Sequence, residues 1–404
     1  MNGWTGGQYS AFRALLGVYV AVHFAHLVPW GAEIFSSRGV LPDGGASPLL
    51  TLFPNVLAVA DGPVFVTLLL ALAAGLGVAL ALGFHDRLAA VGIWYVLAAT
   101  FGRNPLIANP ALPYVGWLLL AHALLPPAPY GSWAARGAAD VGTRWRLPQP
   151  IFVAAWVLMA VGYSYSGYTK LVSPSWVDGT ALARVLDNPL ARPGPLRDLL
   201  AGLPEGALRG ATWGALALEA GFAPLALVRP LRPWLWAAMV GMHVGLMTVI
   251  DFADLTLGML VLHGFTLDPG WIRPRAGGPA VVFYDGTCGL CHRFVRFLLA
   301  EDRDAAFRFA PLGGETFMTA VPDARRRGLP DSVVIRTADG RLLSRSAAVV
   351  WVLQRLGGVW RLAGALLAAL PTGLADRLYD ALARRRRSLF RAPTEACPLV
   401  APDL

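Results

Sequence analysis

Two of the three cysteines in this chain, Cys288 and Cys291, lie three positions apart in the segment VVFYDGTCGLCHRFVRFLL, residues 281–299. Two thiols at this spacing are one turn apart when a helix begins at the first of them, so a disulfide can form and break between them. The unpaired N–H groups and the dipole of a helix N-terminus also favour a thiolate. The spacing therefore indicates dithiol redox chemistry.

A strand, a turn and a helix must position these thiols. The apolar run 281–284 predicts a strand, and Asp285-Gly286-Thr287 predicts a short turn after it. Beyond the cysteines, apolar residues recur at helical spacing: they are Leu290, Phe294, Val295, Leu298 and Leu299. We therefore expect the dithiol at the N-terminus of a helix that follows a buried strand.

The sequence around this segment predicts a small α/β domain over residues 279–404. A Gly- and Pro-containing hinge at 273–279 precedes it, and FRFAPL at 307–312 follows the predicted helix. Residues 331–344 read as a hairpin with Asp339-Gly340 at its turn. Helices are predicted at 346–356, 361–370 and 374–385. Strand, dithiol helix, hairpin and closing helices together suggest a thioredoxin-like arrangement.

The rest of the chain has the composition of a membrane protein. Apolar residues make up 56% and charged residues 15% of the 404 positions, and the mean hydropathy is +0.53. The apolar surplus lies before residue 270. We therefore predict a polytopic α-helical membrane domain over residues 1–272 with about eight spans. The predicted spans are 10–30, 62–84, 88–102, 111–126, 150–171, 210–228, 233–250 and 253–268.

Arginine placement predicts the orientation of this domain. With eight spans, one set of loops carries most of the arginines, and the opposite set carries Glu33, Asp43 and Asp61. The positive-inside rule then places both termini and the dithiol domain in the cytoplasm, in a bacterial-type inner membrane. The net charge of +9 suits contact with anionic lipid. We interpret the arginine run 384–387 as lipid-facing or solvated, and we predict no nucleic-acid partner.

Residues 281–397 resemble the DCC family of thiol-disulfide oxidoreductases, which carry a Tyr-Asp-Gly turn before a Cys-x-x-Cys. The DSVVI strand, the Ser-Ala-Ala-Val helix and YDALARRRRSLF with the late Cys397 match the same family. This resemblance implies protein-disulfide reductase activity with Cys288 and Cys291 as the redox pair. We assign Cys288 as the nucleophile, expecting it to be the more exposed sulfur, and Cys291 as the resolving thiol.

Other groups near the dithiol leave alternatives open. Asp285 is placed either to cap the helix or to exchange protons with the dithiol. Pro330 is a candidate for the cis-proline of thioredoxin-like sites. Cys288-Gly-Leu-Cys291-His292 also matches a c-type haem attachment string, and a zinc site would add Cys397 to these ligands. We prefer the redox interpretation and predict no metal; Cys397 is either a packed cysteine or a third redox partner.

Lys170 is the only lysine among 34 basic residues. An arginine cannot be deprotonated in a protein, whereas a desolvated lysine can act as a base. On the residues alone we prefer a lysine that ends its helix and reaches the membrane interface. Glu219 and His243 fall on consecutive predicted spans, and we interpret them as a structural pair.

The pattern Gly167-Tyr-Thr-Lys170-Leu171, followed by Trp176-Val-Asp-Gly179, resembles the membrane domain of vitamin K-dependent γ-glutamyl carboxylases. This resemblance to a horizontally transferred transmembrane domain covers residues 8–271. It implies that Lys170 is the base that deprotonates a vitamin K hydroquinone. The chain lacks the large carboxy-terminal substrate region of those enzymes, so glutamate carboxylation is not expected.

Three functions follow as hypotheses. The first is a membrane-bound thiol-disulfide oxidoreductase that acts on a thiol or disulfide substrate, protein or small molecule, and exchanges electrons with a membrane quinone or vitamin K-like lipid. The second is a carboxylase- or epoxidase-like enzyme centred on Lys170, whose reduced cofactor the dithiol regenerates. The third is a non-catalytic anchor or scaffold in the lipid bilayer.

Overall fold

The computed structural model describes residues 2–107, 109–136, 145–251 and 253–390. The chain forms two compact units. The helical unit contains residues 12–125 and 148–267, and the dithiol unit contains residues 1–11, 126–147 and 268–404. The dithiol unit is therefore discontinuous: it includes two segments that precede the predicted range 279–404.

Helices make up the helical unit and the segment that leads into it. Their bounds are α1 Gly6–Leu27, α2 Gly31–Phe35, α3 Pro63–Leu82, α4 Asp86–Arg103, α5 Leu112–Leu124, α6 Gln149–Lys170, α7 Pro174–Val177, α8 Ala181–Leu186, α9 Pro195–Ala201, α10 Glu205–Ala220, α11 Phe222–Ala226, α12 Arg232–Val249 and α13 Ala253–Thr266. Each predicted span overlaps one of the longer helices, which are α1, α3, α4, α5, α6, α10, α12 and α13, although the span predicted at 210–228 is broken between α10 and α11.

Among the described residues, three helices are long and apolar enough to cross a membrane, namely α1, α3 and α6. They contain 22, 20 and 22 residues, close to the roughly 20 that a bilayer requires. The other five range from 13 to 18 residues. The prediction of eight spans is therefore not confirmed, although helices form at all eight places.

Close packing of α6 against α10 depends on Gly167. A Cβ atom at this position would lie 2.3 Å from the backbone nitrogen of Ala220, which is far inside van der Waals contact. Small residues at such contacts let two helices approach closely in apolar surroundings. This contact lies one turn before Lys170, so it also fixes what the lysine faces.

The dithiol unit is built on a four-stranded sheet in the order β2-β1-β3-β4. Strand β1 is parallel to β2 and antiparallel to β3, and β3 is antiparallel to β4. The elements in chain order are β1 Ala280–Tyr284, α14 Gly289–Glu301, β2 Phe307–Pro311, α15 Glu315–Ala320, α16 Asp323–Arg326, β3 Val334–Arg336, β4 Leu342–Ser344, α17 Arg345–Leu356, α18 Gly358–Ala368 and α19 Thr372–Leu389. This confirms a small mixed α/β domain.

Helices bury both faces of the sheet. Successive side chains of a strand point to opposite faces, so neighbouring residues of β1 enter different cores. Val282 of β1 packs with Leu298 of α14 and Val352 of α17 in one core cluster. Its neighbour Phe283 packs with Phe317 of α15 and Val334 of β3 in the other. The strand that leads to the cysteines is therefore fixed from both sides.

The predicted hairpin forms at the predicted turn. Val334–Arg336 pairs with Leu342–Ser344, and the N–H of Thr337 donates to the carbonyl of Arg341 at 3.0 Å. Gly340 adopts a φ of +80°, a backbone conformation that residues with a Cβ atom rarely adopt. The Asp339-Gly340 pair therefore determines where the chain reverses.

The far end of α14 is held by the first residues of the chain. Glu301 is 3% exposed, and its carboxylate accepts hydrogen bonds from the Thr5 hydroxyl, the Gly7 N–H at 2.8 Å and the Trp360 indole at 2.5 Å. Burial raises the pKa of Glu301, although these donors oppose the shift. A Cβ at Gly7 would lie 2.6 Å from the carboxylate, so a larger residue there would displace the carboxylate. A buried carboxylate thus joins residues 5–7 and α18 to the dithiol helix.

Candidate active site

A tight turn connects β1 to α14. The Asp285 carboxylate accepts hydrogen bonds from the N–H and the hydroxyl of Thr287 at 2.9 and 2.7 Å, and the Asp285 carbonyl accepts from the N–H of Cys288 at 3.2 Å. The N-cap residue of α14 is Cys288. The interpretation of Asp285 as the helix cap is therefore wrong: its carboxylate orders the turn that precedes the helix.

Both cysteines lie at the start of α14, as predicted. Cys288 is the N-cap, its carbonyl accepts from the His292 N–H at 3.0 Å, and Cys291 is the third helical residue. Both are free thiols. This places the pair within the first turn, where the unpaired N–H groups and the helix dipole act on a thiolate.

The expected order of exposure is reversed. Cys288 is 2% exposed, whereas Cys291 is half-buried and lines a cavity. The N-cap lies one short turn after β1, a strand that has β2 and β3 on its two sides and is covered on both faces. The prediction that Cys288 is the more exposed sulfur is therefore wrong.

The two thiols interact electrostatically. The pKa of the Cys291 thiol is raised to about 12, chiefly by burial. The hydrogen bond to Cys288 and the negative charge of a Cys288 thiolate contribute to this rise. The backbone N–H of Asp285 and the guanidinium of Arg386 act in the opposite direction. A thiol that holds its proton is a hydrogen-bond donor to its neighbour, so Cys291 is arranged to stabilise charge on the Cys288 sulfur.

Arg386 is the functional residue that the sequence interpretation missed. It is 4% exposed, and its guanidinium donates to the Asp331 carboxylate at 2.7 Å and to the Asp285 carboxylate at 3.3 Å. Burial alone would lower its pKa, but Asp331 and then the charges of Cys288 and Cys291 raise it. The run 384–387 was interpreted as lipid-facing or solvated. For Arg386 that interpretation is wrong, because its side chain is buried.

A helical pattern could have identified Arg386. Tyr379, Ala383 and Arg386 recur at spacings of four and three, so they share one face of α19. All three line the same cavity as Cys291. The exposed Arg384 and Arg385 point elsewhere.

The cavity beside Cys291 has a volume of about 340 Å³ and mostly apolar walls. Its polar side chains already have partners within the protein. Ser346 donates to the Asp376 carboxylate at 2.5 Å, and the Tyr379 hydroxyl accepts from the Val333 N–H at 3.1 Å. The cavity therefore offers a ligand apolar contacts and one thiol.

The other groups proposed near the dithiol have different outcomes. Pro330 follows a trans peptide bond, so the cis-proline prediction is wrong. Over residues 2–107, 109–136, 145–251 and 253–390, no group of three or more His, Cys, Asp and Glu side chains could hold a metal ion. Cys397 lies outside the described residues.

Lys170 belongs to the helical unit and ends α6. Its ammonium group donates to the Ser166 hydroxyl at 2.8 Å, forms an ion pair with Glu219 of α10, and lies 4.9 Å from the centre of the Trp176 ring. Its side chain is 21% exposed. Lys170 therefore turns toward a buried carboxylate of a neighbouring helix.

The predicted pairing of Glu219 with His243 is wrong. His243 instead shares the Tyr163 hydroxyl with His263, with both distances to the imidazole nitrogens at 2.7 Å. A cavity of about 260 Å³ is lined by Tyr163, Lys170, Glu219 and His243 among others. The helical unit thus contains a polar cavity of its own.

Comparisons with known proteins concern the dithiol unit. The model of the family described as DCC1-like thiol-disulfide oxidoreductase matches residues 282–392. Uncharacterized protein YuxK of Bacillus subtilis is 33% identical over 128 residues, which are 31% of this chain and 89% of that protein. The chloroplastic DCC family protein At1g52590 of Arabidopsis thaliana is 25% identical over 119 residues, which are 30% of this chain and 69% of that protein.

No solved structure matches the chain significantly. The family match includes the turn, the two cysteines and the helices that surround them. Through this carboxy-terminal part, the chain belongs to the DCC1-like thiol-disulfide oxidoreductase family.

Proposed function

We propose that this protein is a membrane-bound protein-disulfide reductase whose redox centre is the Cys288–Cys291 pair in a thioredoxin-like domain. One observation carries the proposal. The two thiols occupy the N-cap and the first turn of α14, and a buried arginine, Arg386, acts on both. A helix N-terminus and a nearby cation are the surroundings in which cysteines become reactive.

The roles of the two thiols follow from where the proton is held. Cys291 retains its proton and donates a hydrogen bond to Cys288, so Cys288 attacks and forms a mixed disulfide with the substrate. Cys291 then gives up its proton and attacks Cys288, which releases the reduced substrate. Two electrons and two protons leave the dithiol, and one disulfide of the substrate becomes two thiols. Asp285, 3.3 Å from Arg386, exchanges these protons or holds the arginine in place.

We further propose that the electrons are exchanged with a membrane quinone or a vitamin K-like lipid. Three apolar helices support a membrane location, and the apolar cavity at Cys291 suits a lipid-soluble ring. In the orientation that the arginines favour, the dithiol unit lies in the cytoplasm at the inner membrane. After each turnover a hydroquinone reduces the Cys288–Cys291 disulfide back to the dithiol and leaves as the quinone. Oxidation of the dithiol by a quinone is the same exchange in reverse.

A redox titration of the purified full-length protein tests the proposal. The protein is equilibrated in buffers of defined thiol–disulfide ratio, and the remaining thiols are tagged with a maleimide and counted by mass spectrometry. We expect Cys288 and Cys291 to lose both tags together, with the slope of a two-electron couple. Thiols that stay reduced in the most oxidising buffer would contradict the proposal and favour an anchor or scaffold.

The helical unit supports a second candidate function. Lys170 pairs with Glu219 at a cavity that also contains Tyr163 and His243. We propose that Lys170 accepts a proton from a bound quinol or similar weak acid, as its resemblance to the carboxylase-type membrane domain implies. Glu219, which forms an ion pair with the lysine in the structure, would take up the lysine's proton first, so that a neutral amine meets the quinol.

Substitution of Lys170 by arginine tests this role. Arginine keeps the charge and the partner Glu219 but cannot give up its proton, so Lys170→Arg should abolish any reaction of the helical unit. Reduction of a soluble model disulfide by the dithiol should continue, because the cysteines are unchanged. Full cellular function in Lys170→Arg protein would instead make the lysine a structural anchor. Arg209→Lys, a change at a half-buried position on α10, serves as the control for expression.

A further inference from the structure

A row of leucines lies exposed on the last two helices of the dithiol unit. Their exposed fractions run from 38% to 74%, whereas side chains of this type are ordinarily buried. We call this row the leucine surface, and its members are Leu362, Leu366, Leu370, Leu374, Leu378 and Leu382.

The four-residue repeat runs through the sequence across a break in the helix. Its members recur every four residues through α18, the break at 369–371 and α19, and the two helices bend by 111°. Taken together, α18 and α19 are as long and apolar as a membrane span. Because of the bend, this apolar surface runs along two directions rather than one.

The leucine surface leads into the cavity beside the dithiol. Leu378 and Leu382 are 56% and 45% exposed, yet both also line the cavity that contains Cys291. An apolar molecule that moves from the leucine surface to the Cys291 thiol would therefore stay in contact with apolar side chains along the way.

Exposed arginines border the leucine surface. On α19, Arg377 and Arg384 are seven residues apart and lie beside the leucine row, on the side away from the buried Arg386. Arg385 lies in line with the row, one turn beyond it, and Arg361 precedes Leu362 on α18. An apolar stripe bordered by basic side chains is the composition of a helix that lies in the interface of an anionic membrane.

We propose that the leucine surface docks into the interface of an anionic lipid bilayer, and that a lipid-dissolved redox ligand enters the cavity at Cys291 from there. The basic border selects anionic lipid over another apolar protein surface. The same chain also has three helices that are long and apolar enough to cross a bilayer. The docking stands independently of catalysis, whereas the entry of a redox ligand rests on the function proposed above.

Accessibility of spin labels on the full-length protein tests the docking. Cys288, Cys291 and Cys397 are replaced by serine, and Leu366→Cys, Leu374→Cys or Arg327→Cys then carries a nitroxide in nanodiscs that contain phosphatidylglycerol. Arg327, with a side chain 80% exposed, is the control. We expect the ratio of oxygen to nickel-chelate collisions to be roughly threefold or more higher at both leucines than at Arg327.

Two outcomes would overturn the docking. The leucine labels could show the same ratio as the Arg327 label, which would place them in water. The leucine labels could also be protected from both oxygen and the nickel chelate, to an extent that rises with protein concentration. The leucine surface would then be an interface between two copies of the chain.

A kinetic comparison tests the entry of the ligand. The double variant Leu366→Asn/Leu374→Asn leaves the cavity lining unchanged. It should oxidise its dithiol about tenfold more slowly with a long-tailed quinone in vesicles, and at the normal rate with a tailless, water-soluble quinone. Equal rates with the long-tailed quinone would overturn the entry route. Failure of the unmodified protein to react with either quinone or with a soluble disulfide would instead reject the proposed function.

Discussion

Replacing Cys288 by serine is expected to lower the rate of model-disulfide reduction by at least about 100-fold, because the attacking sulfur is lost. Replacing Cys291 by serine should leave the first attack possible but remove the thiol that resolves the mixed disulfide. The Cys291→Ser protein should therefore accumulate as a covalent adduct with its substrate. Non-reducing electrophoresis and intact-mass measurement after acid trapping distinguish the two results.

His292→Ala is the matched control for this pair. It leaves both sulfurs in place but removes the ligand that a c-type haem would need. Retained activity in His292→Ala supports the redox interpretation. If Cys291→Ser abolished the reaction and Cys288→Ser trapped the adduct, the two roles would be exchanged, and the exposure of Cys291 would decide the order of attack.

Arg386→Met is expected to shift the rate–pH profile of disulfide reduction upward by about one pH unit or more, and to slow the reaction about tenfold at neutral pH. The sign follows from charge. The guanidinium is positive and acts on both cysteines, so its removal disfavours the thiolate, and a higher pH is then needed to form it. Methionine has a similar length but no charge.

Two further variants isolate the contribution of Arg386. Arg384→Met removes an exposed arginine of the same helix and should leave the profile unchanged. Asp331→Asn removes the partner at 2.7 Å while the guanidinium stays. A profile that shifts equally in Arg384→Met would mean that the general charge of α19, rather than the buried contact, sets the reactivity of the dithiol.

Local sequence patterns predicted the parts of the site that local forces determine. The run 281–284, the turn at Asp285 and the apolar spacing after Cys291 each act over a few residues, and the strand, turn and helix form where they were predicted. The hairpin at Gly340 belongs to the same class, because its conformation depends on one residue. In each case the nearest neighbours along the chain supply the cause.

Features that depend on distant segments were not predicted. The burial of Cys288 results from the sheet around β1, and the position of Arg386 depends on how α19 packs beside Val333 and Cys291. The partner of Lys170 was missed for a similar reason: Gly167 allows contact with α10, but the spacing of Glu219 along the sequence does not show which helix approaches it. The spacing of apolar residues indicates which face of a helix is buried, whereas tertiary packing determines which residues that face contacts.

The buried carboxylate of Glu301 has a consequence for how the protein is made. Its donors include Thr5 and Gly7, which leave the ribosome almost 300 positions before it, since the sequence separations are 296 and 294. The first segment must therefore wait, without its partner, while the whole helical unit is synthesised. Contacts of such long separation close late and slowly. Fragments that start after the hinge would carry a buried acid with two of its donors missing, because those donors lie almost 300 positions earlier in the chain.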